Sequence, residues 1–158
     1  MQLAGKTAVV TGGGAGIGSD IVRQLAVEGA RVISVDWNEE DNCQVAASVR
    51  AAGGQCEART ADVSSSTDVK RIFEGIGPVD ILVNNAAFSK GDGFLLDISE
   101  KIWDQTLAIC LKSVFLIASA VLFLVSEQAS FINGAVLTID GGLSAVHQLP
   151  SLRKTTKS

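Results

Sequence analysis

The chain has 158 residues, of which 47% are hydrophobic and 19% charged, and its net charge is −4. That length builds one domain with a sizeable core, and the acidic balance excludes the basic surface on which non-specific nucleic-acid binding depends. The three cysteines, Cys43, Cys56 and Cys110, share no close spacing, so they read as buried thiols of a reducing compartment and not as a disulfide or metal framework.

The opening residues, MQLAGKTAVVTGGG, enter a strand-like run at once and lack the charged start and long apolar middle of a signal peptide, which makes the cytoplasm the expected location. TAVVTG (7–12) predicts a first strand and IGSDIVRQLAVEGA (17–30) a helix with Ile21, Val22, Leu25 and Ala26 on its apolar face, stopped by Gly29. RVISVD (31–36) predicts the second strand, residues 39–52 a helix ended by Gly53-Gly54, and QCEARTADV (55–63) carries the third strand. Ser65 or Ser66 caps a helix that runs to about Gly75. PVDILVNNA (78–86) is a continuous apolar run suited to a fourth strand buried on both faces. After a glycine-containing loop at 90–93, a long helix opens at Ser99, and AVLTID (135–140) predicts a last strand closed by Gly141-Gly142. Strands alternating with helices predict an α/β fold, a doubly wound parallel sheet of Rossmann-like type with helices on both faces. The domain is expected over 1–147, with 148–158 a flexible basic tail.

Chemistry concentrates after the first strand, in TGGGAGIG (11–18), where glycines stand at 12, 16 and 18 between a strand and a helix. Such a loop lets backbone approach a pyrophosphate, and the helix start offers free N–H groups and a positive dipole end. A glycine turn without a ligand would show the same letters. Asp36, at the end of the second strand, favours the ligand, because a carboxylate there accepts hydrogen bonds from both hydroxyls of an adenosine ribose. It repels a 2′-phosphate, and no arginine at 37 or 38 receives one, so NAD is expected over NADP.

These residues resemble the short-chain dehydrogenase/reductase family. TGGGAGIG is similar to the family's TGxxxGxG loop, Ala61-Asp62-Val63 to its adenine-contacting Asp-Val, and NNAA (84–87) to its Asn-Asn-Ala-Gly. WDQTLAICLKSVF (103–115) resembles the start of the family's central helix, and AVLFLVSEQASFINGAVLTIDGG (120–142) its last helix and strand. The resemblance implies that Gly12, Gly16, Ile17 and Gly18 hold the pyrophosphate and Asp36 the adenosine ribose. It also implies that Asp62 and Val63 flank the adenine, and that Asn84 and Ala86 border the nicotinamide-side ribose. Ala87 replaces the motif's last glycine.

The family's activity is NAD-dependent hydride transfer between an alcohol and a carbonyl, with a tyrosine hydroxyl as general acid/base, a lysine, a serine and a helix asparagine. This chain contains no tyrosine. The segment that bears the Ser, Tyr and Lys belongs between Ser119 and Val121, an internal deletion near 118–121 of about 90 residues, and Cys110 stands in the asparagine's place. No catalytic residue is assigned, Lys90, Lys112, Ser113, Ser119 and His147 included, and no metal site. Joining the two remnants makes an apolar run over 106–125 broken only by Lys112. A membrane span is weighed and set aside, because Lys112 would cost about 2.5–3.5 kcal/mol near a bilayer centre. The expected sheet is shortened, with about five strands in the order 3-2-1-4-5 and AVLTID beside strand four. In relatives the long helix forms the dimer interface, so self-association through 103–128 is expected. The expected function is an NAD-binding family member, catalytically inactive as the chain stands. The alternatives are an active oxidoreductase whose complete chain is longer, acting on a small alcohol or carbonyl, and a non-catalytic module that uses the apolar helix to recruit a partner.

Overall fold

The computed structural model describes residues 1–88 and 97–124, the side chains of 119–124 excepted. Four strands, β1 (Thr7–Thr11), β2 (Arg31–Asp36), β3 (Gln55–Thr60) and β4 (Ile81–Asn84), form one parallel sheet in the order β3-β2-β1-β4. The helices between them are α1 (Gly16–Val27), α2 (Glu39–Ala51) and α3 (Ser66–Phe73). After β4 come α4 (Glu100–Leu107), a π-helical turn (Ala108–Lys112) and α5 (Ser113–Leu124). β1 pairs with β2 from Thr7↔Arg31 to Thr11↔Val35 and with β4 from Ala8↔Ile81 to Thr11↔Asn84. The expected order is therefore observed for strands one to four, and the expected fifth strand at 135–140 lies outside the described residues, as do the loop at 90–93 and the tail.

Successive strand residues point to opposite faces, and both faces of this sheet are covered. On one side Ala8, Val10 and Val32 pack with Val22 and Ala26 of α1 and Val45, Ala46 and Val49 of α2. On the other, Val9, Ile33 and Val35 pack with Val69, Ile72 and Phe73 of α3 and Ile117 of α5. This explains why the strands read as unbroken apolar runs instead of alternating ones. Polar side chains are buried in the first layer too, Ser34 and Asn42 deepest. Asn42 on α2 is 0% exposed, accepts from Ser34 Oγ at 2.5 Å and donates Nδ2 to the carbonyls of Ser34 (3.0 Å) and Arg59 (3.2 Å). It ties α2 to β2 and β3 and satisfies its own amide.

Strand four differs from expectation. Ile81, Leu82 and Val83 are only half-buried, whereas Ala8, Val9 and Val10 of β1 are 0% exposed. Among the described residues β4 has a neighbour on one side only, β1. The cysteines also differ. Cys56 is buried, but Cys43 and Cys110 are exposed. The inward positions of α2 are 42, 45, 46 and 49, and residue 43 is turned about 100° from 42 by the helix period.

The long helix expected from 103 onward forms, and its backbone is helical through 119–121. It is interrupted at Ala108–Lys112 by the π turn, which no sequence signal anticipated. Ser113 and Ile117 face inward, while Trp103, Leu107, Leu111, Val114 and Phe115 are exposed. No helix of the described residues is long and apolar enough to cross a membrane.

Candidate cofactor site

All nine residues singled out for cofactor binding lie at or just beyond the carboxyl ends of the parallel strands. The glycine loop follows β1, Asp36 ends β2, Asp62 and Val63 follow β3, and Asn84 ends β4 with Ala86 two residues on. Strand order reverses at β1, where β2 leads to one side and β4 lies on the other. Loops that leave β1 and β4 diverge there and open a crevice.

The loop is held by its own packing. Gly12 has φ +68, and a Cβ there would stand 2.8 Å from Asn85 Nδ2. A Cβ on Gly18 would overlap the carbonyl oxygen of Gly12, so Gly18 lets the first turn of α1 press onto the end of β1, while Gly12 lets the segment after β4 approach the loop. Gly16 is different. Its φ is +52 and a Cβ would meet nothing within 4 Å, which places it on the open side of the cradle. Asn85 Nδ2 donates to the carbonyls of Thr11 (3.0 Å) and Gly12 (3.1 Å), and Thr11 Oγ1 accepts from the backbone N–H groups of Asn85 and Ala86, both at 3.1 Å. Thr11 and Asn85 thus clamp β1 to β4 at the crevice floor. In the sequence both appear only as letters of the TGGGAGIG and NNAA motifs. The available signal was a polar residue at the end of each of two apolar strands.

The start of α1 suits an anion. Its N-cap, Ala15, has no side chain to cap the first N–H groups, and no acidic residue lies in the first turn. By contrast Asn38, Ser65 and Ser99 cap α2, α3 and α4. Unsatisfied N–H groups at a helix start and the dipole both favour phosphate. Ile17 is 57% exposed in that turn. Asp36 is half-buried beside it, with Oδ2 accepting from Gly14 N at 2.9 Å and Oδ1 from Asn38 N at 3.0 Å. Each carboxylate oxygen keeps a further acceptor site, so the group is fixed in place and still able to receive two hydroxyls. Asp62 is exposed and its Oδ1 takes the N–H and hydroxyl of Ser64 at 2.8 and 2.7 Å, while Val63 is buried. The cradle therefore fits a dinucleotide: an open glycine, an uncapped helix start and an oriented carboxylate on one edge.

The catalytic alternatives do not converge on it. Ser113 is buried and its hydroxyl bonds the Ile109 carbonyl of its own helix. Lys112 is exposed on the π turn, and Lys90, the Ser119 side chain and His147 lie outside the described residues. Cys110, in the middle of the π turn, sits against the segment after β4. Its Sγ accepts from Phe88 N at 3.3 Å and donates to Phe88 O at 3.7 Å. A thiol thus does the local tethering at the position that the resemblance gives to asparagine. Among the described residues no group of His, Cys, Asp and Glu is placed to hold a metal ion.

The sequence pattern of the short chain dehydrogenase family matches residues 6–146. The chain belongs to this family. It is 32% identical over 148 residues to a 2,3-dihydro-2,3-dihydroxybenzoate dehydrogenase of Bacillus subtilis (strain 168), a match over 91% of this chain and 55% of that protein. It is 34% identical to carbonyl reductase [NADPH] 2 of Sus scrofa, covering 92% of this chain and 57% of the reductase. The chain thus spans little more than half the length of these relatives. It covers 83% of the short chain dehydrogenase/reductase dpmpG of Macrophomina phaseolina (strain MS6), at 32% identity. Among solved structures, a metagenomic short-chain oxidoreductase in complex with NADP superposes with a TM-score of 0.75 at 34% identity, over 79% of this chain and 58% of that one. A short chain dehydrogenase from Mycobacterium smegmatis gives a TM-score of 0.72 at 33% identity, over 78% of this chain and 53% of that one. The fold and the oxidoreductase ancestry of the short-chain dehydrogenase family are therefore those of this chain.

Proposed function

We propose that this short-chain dehydrogenase homologue binds NAD and, in the form of this chain, does not turn over substrate. The Asp36 carboxylate carries the reading. It is held by Gly14 N–H and Asn38 N–H beside the uncapped start of α1, where it accepts the adenosine ribose hydroxyls and repels a 2′-phosphate. The N–H groups of Gly16, Ile17 and Gly18 receive the pyrophosphate on the open side of Gly16, Gly12 adjoins it in the same loop, Asp62 and Val63 border the adenine, and Asn84 and Ala86 border the second ribose. When bound, the nicotinamide supplies a hydride acceptor.

Inactivity is inferred from the missing proton carrier. The chain has no tyrosine, and family matching extends to both sides of 119–121, over 6–146, while half of each longer relative has no counterpart. That combination supports an internally shortened domain over 1–147 followed by a tail at 148–158. Isothermal titration with NAD and NADP tests the cofactor, and NADH absorbance with a panel of small alcohols tests turnover. The expected results are NAD binding at least roughly tenfold tighter than NADP, a difference of about 1.4 kcal/mol, a preference that narrows in Asp36→Ser, and no NADH above the blank. Tighter NADP binding, or no nucleotide binding at all, overturns the cofactor reading, and NADH formation overturns inactivity. The exposed face of α4 and α5 supports the further proposal that two copies associate through this helix.

A further inference from the structure

Trp37 stands at the cofactor edge, and the described fold gives its ring little to pack on. It is 81% exposed, and of the large apolar side chains described only Met1 is more so. A residue just before a helix cap often packs against the fourth helical residue. Here the cap is Asn38, and that fourth residue is Asn42, which is wholly buried and committed to Ser34 and Arg59. An indole left in water forgoes the burial that so large an apolar surface normally finds. Given that the cradle binds an adenine dinucleotide, as proposed above, we infer that Trp37 is the platform on which the adenine base stacks.

The register of the sheet puts the indole where the base must lie. Asp36 and Thr60 are partners on β2 and β3, and Ala61 N donates to the Asp36 carbonyl at 3.0 Å. Trp37 and the pair Asp62-Val63 therefore leave the sheet side by side at its carboxyl end. Val63 is 7% exposed, in the cluster that includes Val35 and Ala61, and gives a fixed apolar floor on the β3 side. In an adenosine the base hangs from the carbon next to the one that bears the 2′-hydroxyl. A side chain one residue beyond Asp36, about 3.8 Å along the backbone, is thus close enough to cover the base when Asp36 holds that hydroxyl. The backbone on either side of Trp37 is anchored. Asn38 N donates to Asp36 Oδ1 at 3.0 Å, and Asn38 Oδ1 accepts from Asp41 N at 3.2 Å. Ordering the ring costs little, since an indole has only two side-chain torsions to fix. Stacking uses the flat face that every base has. Trp37 therefore supplies affinity, whereas Asp36 chooses between the two cofactors.

Calorimetric titration of the full 158-residue chain with AMP, NAD and NADP, repeated for Trp37→Ala and Trp37→Phe, tests this. Trp37→Ala should weaken AMP and NAD about tenfold and leave the ratio of NAD to NADP affinity unchanged, and Trp37→Phe should recover most of the loss. The urea midpoint of Trp37→Ala should match that of the parent, because an exposed side chain holds little of the fold. The chain has two tryptophans, so in Trp103→Phe the remaining emission is that of Trp37, and saturating AMP should quench it. A parent chain that binds AMP and NAD while Trp37→Ala binds them equally well overturns the role of Trp37 and leaves nucleotide binding standing. Unchanged emission from Trp103→Phe saturated with AMP does the same. A urea midpoint that falls together with affinity assigns Trp37 to the fold and overturns its role as a platform. A parent chain that binds none of the three ligands overturns nucleotide binding itself, and the platform with it.

Discussion

At single residues, the site depends on contacts that leave no room. A methyl group on Gly18 would meet the Gly12 carbonyl, so Gly18→Ala must push α1 away from β1. It is expected to destabilise the fold by about 1–3 kcal/mol and to abolish nucleotide binding, read by urea unfolding and by titration calorimetry. Gly16→Ala meets no neighbour, but its φ of +52 strains any residue with a Cβ, so it should cost about 1 kcal/mol of stability as well as weaken nucleotide binding. Asn42→Ala would strand the Ser34 hydroxyl and two carbonyls in the interior, at an expected cost of about 2–4 kcal/mol. Asp80 gives a pH-dependent test. The hydrogen bond from Lys6 Nζ at 2.7 Å, then that from Thr7 N at 2.9 Å, hold its carboxyl below the usual carboxylate range. A lowered folded-state value contributes stability that is present above the unfolded value of about 3.9 and lost as pH falls through the folded one. Asp80→Asn should therefore cost about 1 kcal/mol at neutral pH, modest because both groups are partly solvated. The difference between the two proteins should shrink as pH falls through the acid range and vanish once pH lies below the lowered folded-state value, in matched unfolding curves. The cysteines separate by burial. Desolvation raises the Cys56 thiol to about 11, so a thiol reagent at mildly alkaline pH should label Cys43 and Cys110 in the folded chain and Cys56 only on unfolding.

At the scale of elements, the end of α3 is tied down by a single side chain. Arg59 on β3 donates Nη1 to the carbonyls of Ile72 and Glu74, both at 2.7 Å, which closes the end of α3. Its neighbour Glu57 is pushed up by burial, but bonding and charge from Arg59 and Arg31 outweigh this and hold its carboxyl below the ordinary value. The long helix is less well covered. Its inward face needs only Ser113, Ile117 and partly buried Ile109 and Leu116, and the opposite side leaves Leu111 and Phe115 at 66% and 69% exposed. Leucine and phenylalanine in water on one stripe favour association, each side chain being worth about 1.5–3 kcal/mol on full burial. Sedimentation velocity should show a dimer or larger species for the parent chain and a shift toward monomer in the double variant Leu111→Glu with Phe115→Glu. A parent chain that sediments as a monomer at high concentration would remove the basis for association through this helix. The π turn at Ala108–Lys112 adds one residue to a helical turn, and it places Cys110 against Phe88.

At the scale of the whole molecule, the sheet and its two apolar layers, among the described residues, are complete around β1 and β2 and thinner at β4. Nucleotide halves should respond accordingly. AMP, which needs only the edge built by Asp36, Asp62 and Val63, should retain most of the affinity of NAD, since the chain has no tyrosine and no counterpart of the family's Ser/Tyr/Lys segment to adjoin the nicotinamide. Parallel calorimetric titrations of the two ligands check this, and NAD binding more than about a hundredfold tighter, some 2.7 kcal/mol, would mean that the nicotinamide side is well formed.

The order of β1 to β4, their helices and the caps at Ser65 and Ser99 were legible in the sequence, because turn chemistry and apolar runs are local signals and a parallel sheet buried on both faces leaves few alternatives. The glycine loop and Asp36 were legible for the same reason, being fixed by spacing along one strand–helix–strand unit. Contacts between distant segments were not. That Gly12 and Gly18 are required by the protein's own packing, that Asn85 and Thr11 clamp the crevice, and that Asn42 is wholly buried on a polar-looking helix depend on which residues meet across 6 to 75 positions of chain. The exposure of Cys43 and of strand four's apolar residues was settled likewise by what lies beside them in space, since burial is a property of neighbours and not of the residue alone.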